Sequence, residues 1–255
     1  MSAITLSIDA SIAKIALNRP AHLNCFGTAM IAELMAAIEH VVAAGAKVII
    51  LSGEGRAFCA GADLNDAMDH RDEEGHVNIA KPLRSHFNAL MAMLRDIPIP
   101  LICAVNGPAV GGGCSLAICA DVVIAAQSAY FQMPFAKIGL IPDMGVTWLA
   151  PRLLGRARAL GVVMLGERIS ASQAVDWGLI WSSCEDQFLM VEAMAAAAKL
   201  KAYSPETLHM TRRLIDKSYL TSWNEQLENE ACAQGEMGKK IAFTTAVKAF
   251  LGSAS

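Results

Sequence analysis

The chain has 255 residues, 54% hydrophobic and 18% charged, with a formal net charge of −3 and a mean hydropathy of +0.39. That balance excludes a nucleic-acid binder built on a basic surface, and the length suits one or two domains with a large core. Residues 97–136 carry a single charge, Asp121. A bilayer needs about 20 apolar residues, but Pro98, Pro100, Pro108 and the glycines at 111–113 would leave a spanning helix with unpaired backbone groups. The stretch reads instead as strand, loop and buried helix, so no membrane span is expected.

In chain order, residues 3–8 and 12–17 read as short strands, closed by Asn18-Arg19-Pro20. Apolar residues at 31, 34, 35, 38, 41 and 42 give a helical period over 30–42, stopped at Gly45. Residues 47–51 form a β-branched run expected as a buried strand. The acidic segment 67–75 reads as an exposed, mobile loop, and 79–94 as an amphipathic helix. Buried strands are expected at 99–105 and 122–126, around a short apolar helix at 113–120. After residue 143 helical period dominates, at 144–154, 157–165, 171–177, 187–202, 205–218, 223–235 and 240–251, punctuated by Gly155, Gly166, Gly178, Pro205 and Gly235.

The cysteines number seven, with no Cys-x-x-Cys pair, which fits reduced thiols in a cytosolic protein. The six histidines lack metal-ligand spacing, so no metal is expected. Asp9 and Lys14 argue against a signal peptide, and the Ser-Ala-Ser ending is no peroxisomal address. The expected compartment is the cytoplasm.

Two glycine clusters, at 53–63 and 106–115, each follow a buried strand. The second opens a helix, whose free amides attract an anion or a developing oxyanion. Side by side, the two loops would aim two amides at one oxygen; alone, each is an ordinary tight turn. Neither carries a dinucleotide or phosphate-loop fingerprint. Ser115, in Gly-Cys-Ser-Leu-Ala, resembles a nucleophile elbow, with Asp176 or Asp186 and His209 downstream as partners. Asp143, in Gly-Leu-Ile-Pro-Asp-Met-Gly, has two readings: the cap of the helix behind it, or a general base whose pKa is raised by apolar surroundings. Asp63 and Asp121 read as structural.

The segments Gly-Arg-Ala-Phe-Cys-Ala-Gly-Ala-Asp-Leu (55–64), Ala-Val-Asn-Gly-Pro-Ala-Val-Gly-Gly-Gly-Cys (104–114) and Gly-Leu-Ile-Pro-Asp (139–143) resemble the crotonase, or enoyl-CoA hydratase/isomerase, family. The likeness runs from Ile4 to the final helix. Residues 137–143 and 147–152 are especially similar to the 1,2-epoxyphenylacetyl-CoA isomerase group. The resemblance implies an α/β spiral of strand-strand-helix units at 1–195, and a helical region at 196–255 that builds a homotrimer or a dimer of trimers. It implies an acyl-CoA thioester as substrate and no separate cofactor. The amides of Ala62 and Gly112 would hold the thioester oxygen, Ala60 would sit near the adenine, and Leu64 and Gly111 would line the substrate.

Family hydratases carry two glutamates at positions held here by Ser115 and Phe135. Neither replacement transfers a proton as a carboxylate does. Asp143 stands where family isomerases place their acid/base group. The resemblance therefore implies a double-bond shift in an enoyl-CoA, with Ser115 and Phe135 shaping a dry pocket. Hydration by a non-standard route and non-catalytic acyl-CoA binding are the alternatives. His22 lies where a basic residue often meets CoA. A Lys that the family often places near the C-terminus is replaced by the Phe250 region.

Overall fold

The computed structural model describes residues 2–252. Strands β1 (Ile4–Asp9), β2 (Ile12–Leu17), β3 (Val48–Gly53), β4 (Leu101–Val105), β6 (Val122–Ala126) and β9 (Ser182–Cys184) form one sheet in the order β1-β2-β3-β4-β6-β9. β1 pairs antiparallel with β2, and every later pair is parallel. β3 and β4 are covered on both faces, which is why their sequences run as unbroken apolar residues. A second sheet joins β5 (Ala109–Val110), β7 (Tyr130–Gln132) and β8 (Arg168–Ser170).

The helices cover these sheets. α1 (Thr28–Ala43) buries Met30, Ile31, Leu34, Ala37, Ile38 and Val41 along one stripe. Its side-chain cap comes from a distance: Asp66 Oδ2 accepts from the Thr28 amide at 3.1 Å. Asp66 lies in α2 (Leu64–Asp69), so the start of the segment expected as a loop is helical, and residues 71–76 beyond it are exposed. Residues 80–96 make α3, with one wide turn at Leu83–Phe87. α4 (Gly112–Ile118) is buried along its whole length.

α5 (Val146–Leu165) breaks its helical path at Gly155, at φ 72° and ψ 158°, as the two expected segments anticipate. α6 (Ala171–Asp176) starts with a capping box, Ser170 with Gln173. α7 (Leu189–Lys201) lays Ala193 and Ala197 on the large sheet. The expected domain boundary between residues 195 and 196 falls inside this helix, which belongs to the core.

α8 (Pro205–Ser218), α9 (Trp223–Gly238) and α10 (Ile241–Gly252) follow. Arg212 fastens α8 to the core. Its guanidinium bonds both Asp121 oxygens at 2.6 Å and reaches the carbonyls of Ile97 and Ile99. α10 buries none of its described residues. No helix among the described residues is long and apolar enough to cross a membrane. β5, β7, β8 and β9, of two or three residues each, are too short to show a period of two, and the sequence reading passes over all four as strands.

Candidate active site

The site begins with a ribbon. Cys59 donates its amide to the Pro108 carbonyl at 3.0 Å, and Val110 donates to the Cys59 carbonyl at 2.9 Å. These bonds set Cys59 beside Ala109 in parallel register. Beyond this isolated bridge the two segments stay together, with Gly61 packed against the backbone of Val110, Gly111 and Gly112. On the other side Ala62 bridges Phe26, through Phe26 N to Gly61 O and Asp63 N to Phe26 O, both 3.0 Å.

These contacts satisfy the neighbours of Ala62 and leave its own amide without an acceptor among the described residues. The Gly112 amide has none either, because Gly112 is the first residue of α4 and has no carbonyl one turn back to receive it. Gly61 makes the approach possible: its φ is +98°, and a Cβ there would meet Val110 O at 2.8 Å and Gly112 N at 3.4 Å. Two unpaired amides on adjacent backbones are the elements of an oxyanion hole.

The loops are held from behind by two asparagines that the sequence reading passed over. Asn24 is fully buried; its amide group donates to the carbonyls of Glu54 and Ala57, while its oxygen accepts from the Arg19 amide. Asn106 accepts from the Gly53 amide at 3.2 Å and donates to Gly55 O at 2.9 Å. The Pro-x-x-x-Asn and Asn-Gly patterns are the signals that mark them. Asp63 is structural as expected: it caps α2 through the Asn65 amide and accepts both terminal nitrogens of Arg19 at 3.2 Å. Asp121 is structural too, held by Arg212 and the Leu101 amide.

Asp143 sits in a turn whose next residue, Met144, packs against Gly112. Met144 has φ +49° and Gly145 φ +84°, and the Met144 sulfur lies 2.9 Å from where a Gly112 Cβ would stand. The helix-cap reading of Asp143 is not met: α5 begins at Val146, and its cap residue is Gly145, with no side-chain bond. The Asp143 carboxyl is half-buried and bonds no other residue's side chain among those described. Burial pushes its pKa up to about 6, against the lowering effect of its own backbone amide.

Ser115 is fully buried, and its single hydroxyl proton is shared between the carbonyls of Gly111 and Asp143, each at 3.4 Å. The Phe135 ring reaches to 4.0 Å of a Cβ built on Gly111. Ser115 and Phe135 thus both pack against Gly111, one through a hydroxyl and the other through its ring. The nucleophile-elbow arrangement does not form: His209 bonds the Ile97 carbonyl at 3.2 Å, and Asp186 accepts from the Ser128 amide.

At the other end, Ala60 donates to Leu23 O at 3.0 Å, which brings the exposed His22 into the same neighbourhood. Leu64 opens α2 with 54% of its surface free. Clefts of 690 and 900 Å³ open along α8 and α9. Their walls hold none of these residues, and Asp216 in the first is bonded to Arg95 at 2.9 Å; they are grooves between amphipathic helices. All seven cysteines are free. Cys114 and Cys119 are pushed up to about 12 by burial, which leaves them inert as nucleophiles.

Residues 7–254 match the family model described as enoyl-CoA hydratase/isomerase. The 1,2-epoxyphenylacetyl-CoA isomerase of Escherichia coli (strain K12) is 38% identical over 257 residues, covering 100% of this chain and 97% of that protein. A probable enoyl-CoA hydratase of Rhodobacter capsulatus is 40% identical over 248 residues, 97% of this chain and 94% of its own length. The crystal structure of enoyl-CoA hydratase from Bacillus anthracis superposes with a TM-score of 0.91 at 29% identity, covering 98% of this chain and 96% of that one. The spiral with its two glycine loops defines an acyl-CoA enzyme of the crotonase type, and the chain belongs to the enoyl-CoA hydratase/isomerase family.

Proposed function

We propose that the protein is an enoyl-CoA isomerase that moves a double bond from the Δ3 to the Δ2 position, with Asp143 as its single acid/base. The observation that carries this reading is the half-buried Asp143 carboxyl, without a side-chain partner and with its pKa raised by burial, next in sequence to Met144, which packs on Gly112, one of two residues with unpaired amides; the resemblance adds that Ser115 and Phe135 stand where family hydratases carry glutamates. With the thioester oxygen on the Ala62 and Gly112 amides, the C2 proton passes to Asp143. Its electron pair enters the carbonyl system, giving a dienolate whose oxyanion the amides stabilise. Asp143 returns the proton at C4, and the double bond re-forms between C2 and C3. Nothing is added and nothing leaves, so one group serves as base and then as acid. The hydrocarbon wall of Phe135 keeps water from competing and preserves the strength of the base.

His22 and the loop around Ala60 are read as contacts of the CoA moiety. Exposed Met164, Leu165, Trp181 and Ile241 supply apolar surface for a homotrimer or dimer of trimers, and sedimentation as a monomer at micromolar concentration would remove that reading. The decisive experiment is Asp143→Asn assayed on a 3-enoyl-CoA: loss of turnover with retained thioester binding is expected, and full activity overturns the assignment. Hydration is tested on the same preparation with a 2-enoyl-CoA, where water addition would favour the hydratase reading.

A further inference from the structure

We propose that Met144 is a positioning residue: its buried side chain, seated against Gly112 and Phe26, sets the distance between the Asp143 carboxyl and the oxyanion amides. The inference rests on the reading of Asp143 as the acid/base group and deepens it.

Met144 follows Asp143 directly and turns the chain at φ +49°, a backbone region in which a long side chain is uncommon. Gly or Asn would enter it more easily, so the choice of Met points to the side chain. That side chain is 3% exposed. A Cβ on Gly112 would meet its sulfur at 2.9 Å and the Phe26 ring at 3.0 Å, so Met144 and Phe26 close the space over the Gly112 backbone. Phe26 in turn bridges Ala62. One cluster thus touches both candidate oxyanion residues and adjoins the base in sequence. Ser115 ties the same parts from the polar side, through its bonds to Gly111 O and Asp143 O. Proton transfer is sensitive to displacements of this size, because a misplacement of about 1 Å costs on the order of 100-fold in rate.

The test is steady-state isomerase kinetics on Met144→Ala and Met144→Leu, with thermal melting of each, repeated in an Asp143→Asn background. Leu keeps the apolar volume and is expected to hold kcat within about threefold. Ala is expected to lower kcat by about 10–100-fold with KM changed less than threefold. In the Asp143→Asn background the same Ala change is expected to cost less than threefold, because the group it positions is already gone.

A residue that only supports the fold would lower kcat equally in both backgrounds, in step with melting temperature, and that result overturns the proposal. So does a kcat for Met144→Ala within twofold of the parent. If Met144→Ala does not fold, Met144→Cys, whose sulfur sits one atom nearer the backbone and cannot reach Gly112, is read in the same way. Full activity of Asp143→Asn alone would instead remove the functional reading, and is seen separately in that single variant.

Discussion

Asp121, at the foot of α4 and the one charge of residues 97–136, and Asp143, in the turn before α5, have opposite surroundings. Asp121 accepts the Leu101 amide at 2.7 Å and a two-pronged Arg212 at 2.6 Å. Asp143 is partly shielded from water and bonds only its own backbone amide. A carboxylate whose lone pairs are taken by a guanidinium fork and an amide is a fastener. One partly shielded from water and lacking a counter-charge has its pKa raised toward neutrality, the property the proposed acid/base role requires.

The largest effect expected from breaking this contrast is on turnover. Asp143→Asn should lower kcat on a 3-enoyl-CoA by about 10²–10⁴-fold, measured by ultraviolet absorbance. Next is Asp121→Ala, which strands the Arg212 guanidinium. With the pair partly exposed, the loss should be about 2–4 kcal/mol of stability, read in denaturant melts, with kcat per folded molecule unchanged.

Third, Asp143→Asn should stabilise the fold. The native carboxyl has its pKa raised above the unfolded value, so its contribution is most favourable at low pH and is lost as pH rises through about 6. The variant should therefore gain up to about 3 kcal/mol over the parent above pH 6, and little below pH 4. In parallel, kcat/KM of the parent should fall below an inflection near 6, since the base must be ionised. The smallest effect is expected at the exposed His22, outside both settings: His22→Ala should raise KM about two- to fivefold, with kcat unchanged.

The contrast shows what was legible from residues alone. The buried strands announced themselves through β-branched runs, and 205–218 and 122–126 match their helix and strand end to end. The two glycine loops stood out because few other features demand close backbone approach. Their side-by-side register did not, since it depends on two hydrogen bonds of Cys59 with residues about 50 positions away. Asp143 was visible as a lone charge, with cap and base both open; the positive φ of Met144 and Gly145, which puts the carboxyl outside the helix start, has no local sequence signature beyond one glycine. Asn24 was unread for the same reason, because all its partners except Arg19 lie some 30 residues away.

The pairing of Cys59 with Ala109 has a consequence for how the enzyme tolerates change in length. The Ala62 and Gly112 amides each lie three residues beyond that pair in sequence. A residue inserted in the exposed turn at 54–56 leaves that spacing unchanged, whereas Ala57, Phe58 and Gly107 are buried. One inserted between Cys59 and Ala62, or between Ala109 and Gly112, moves one amide away from its place near the other. The loops can drift in length outside this short ruler, while inside it the number of residues on each side is fixed.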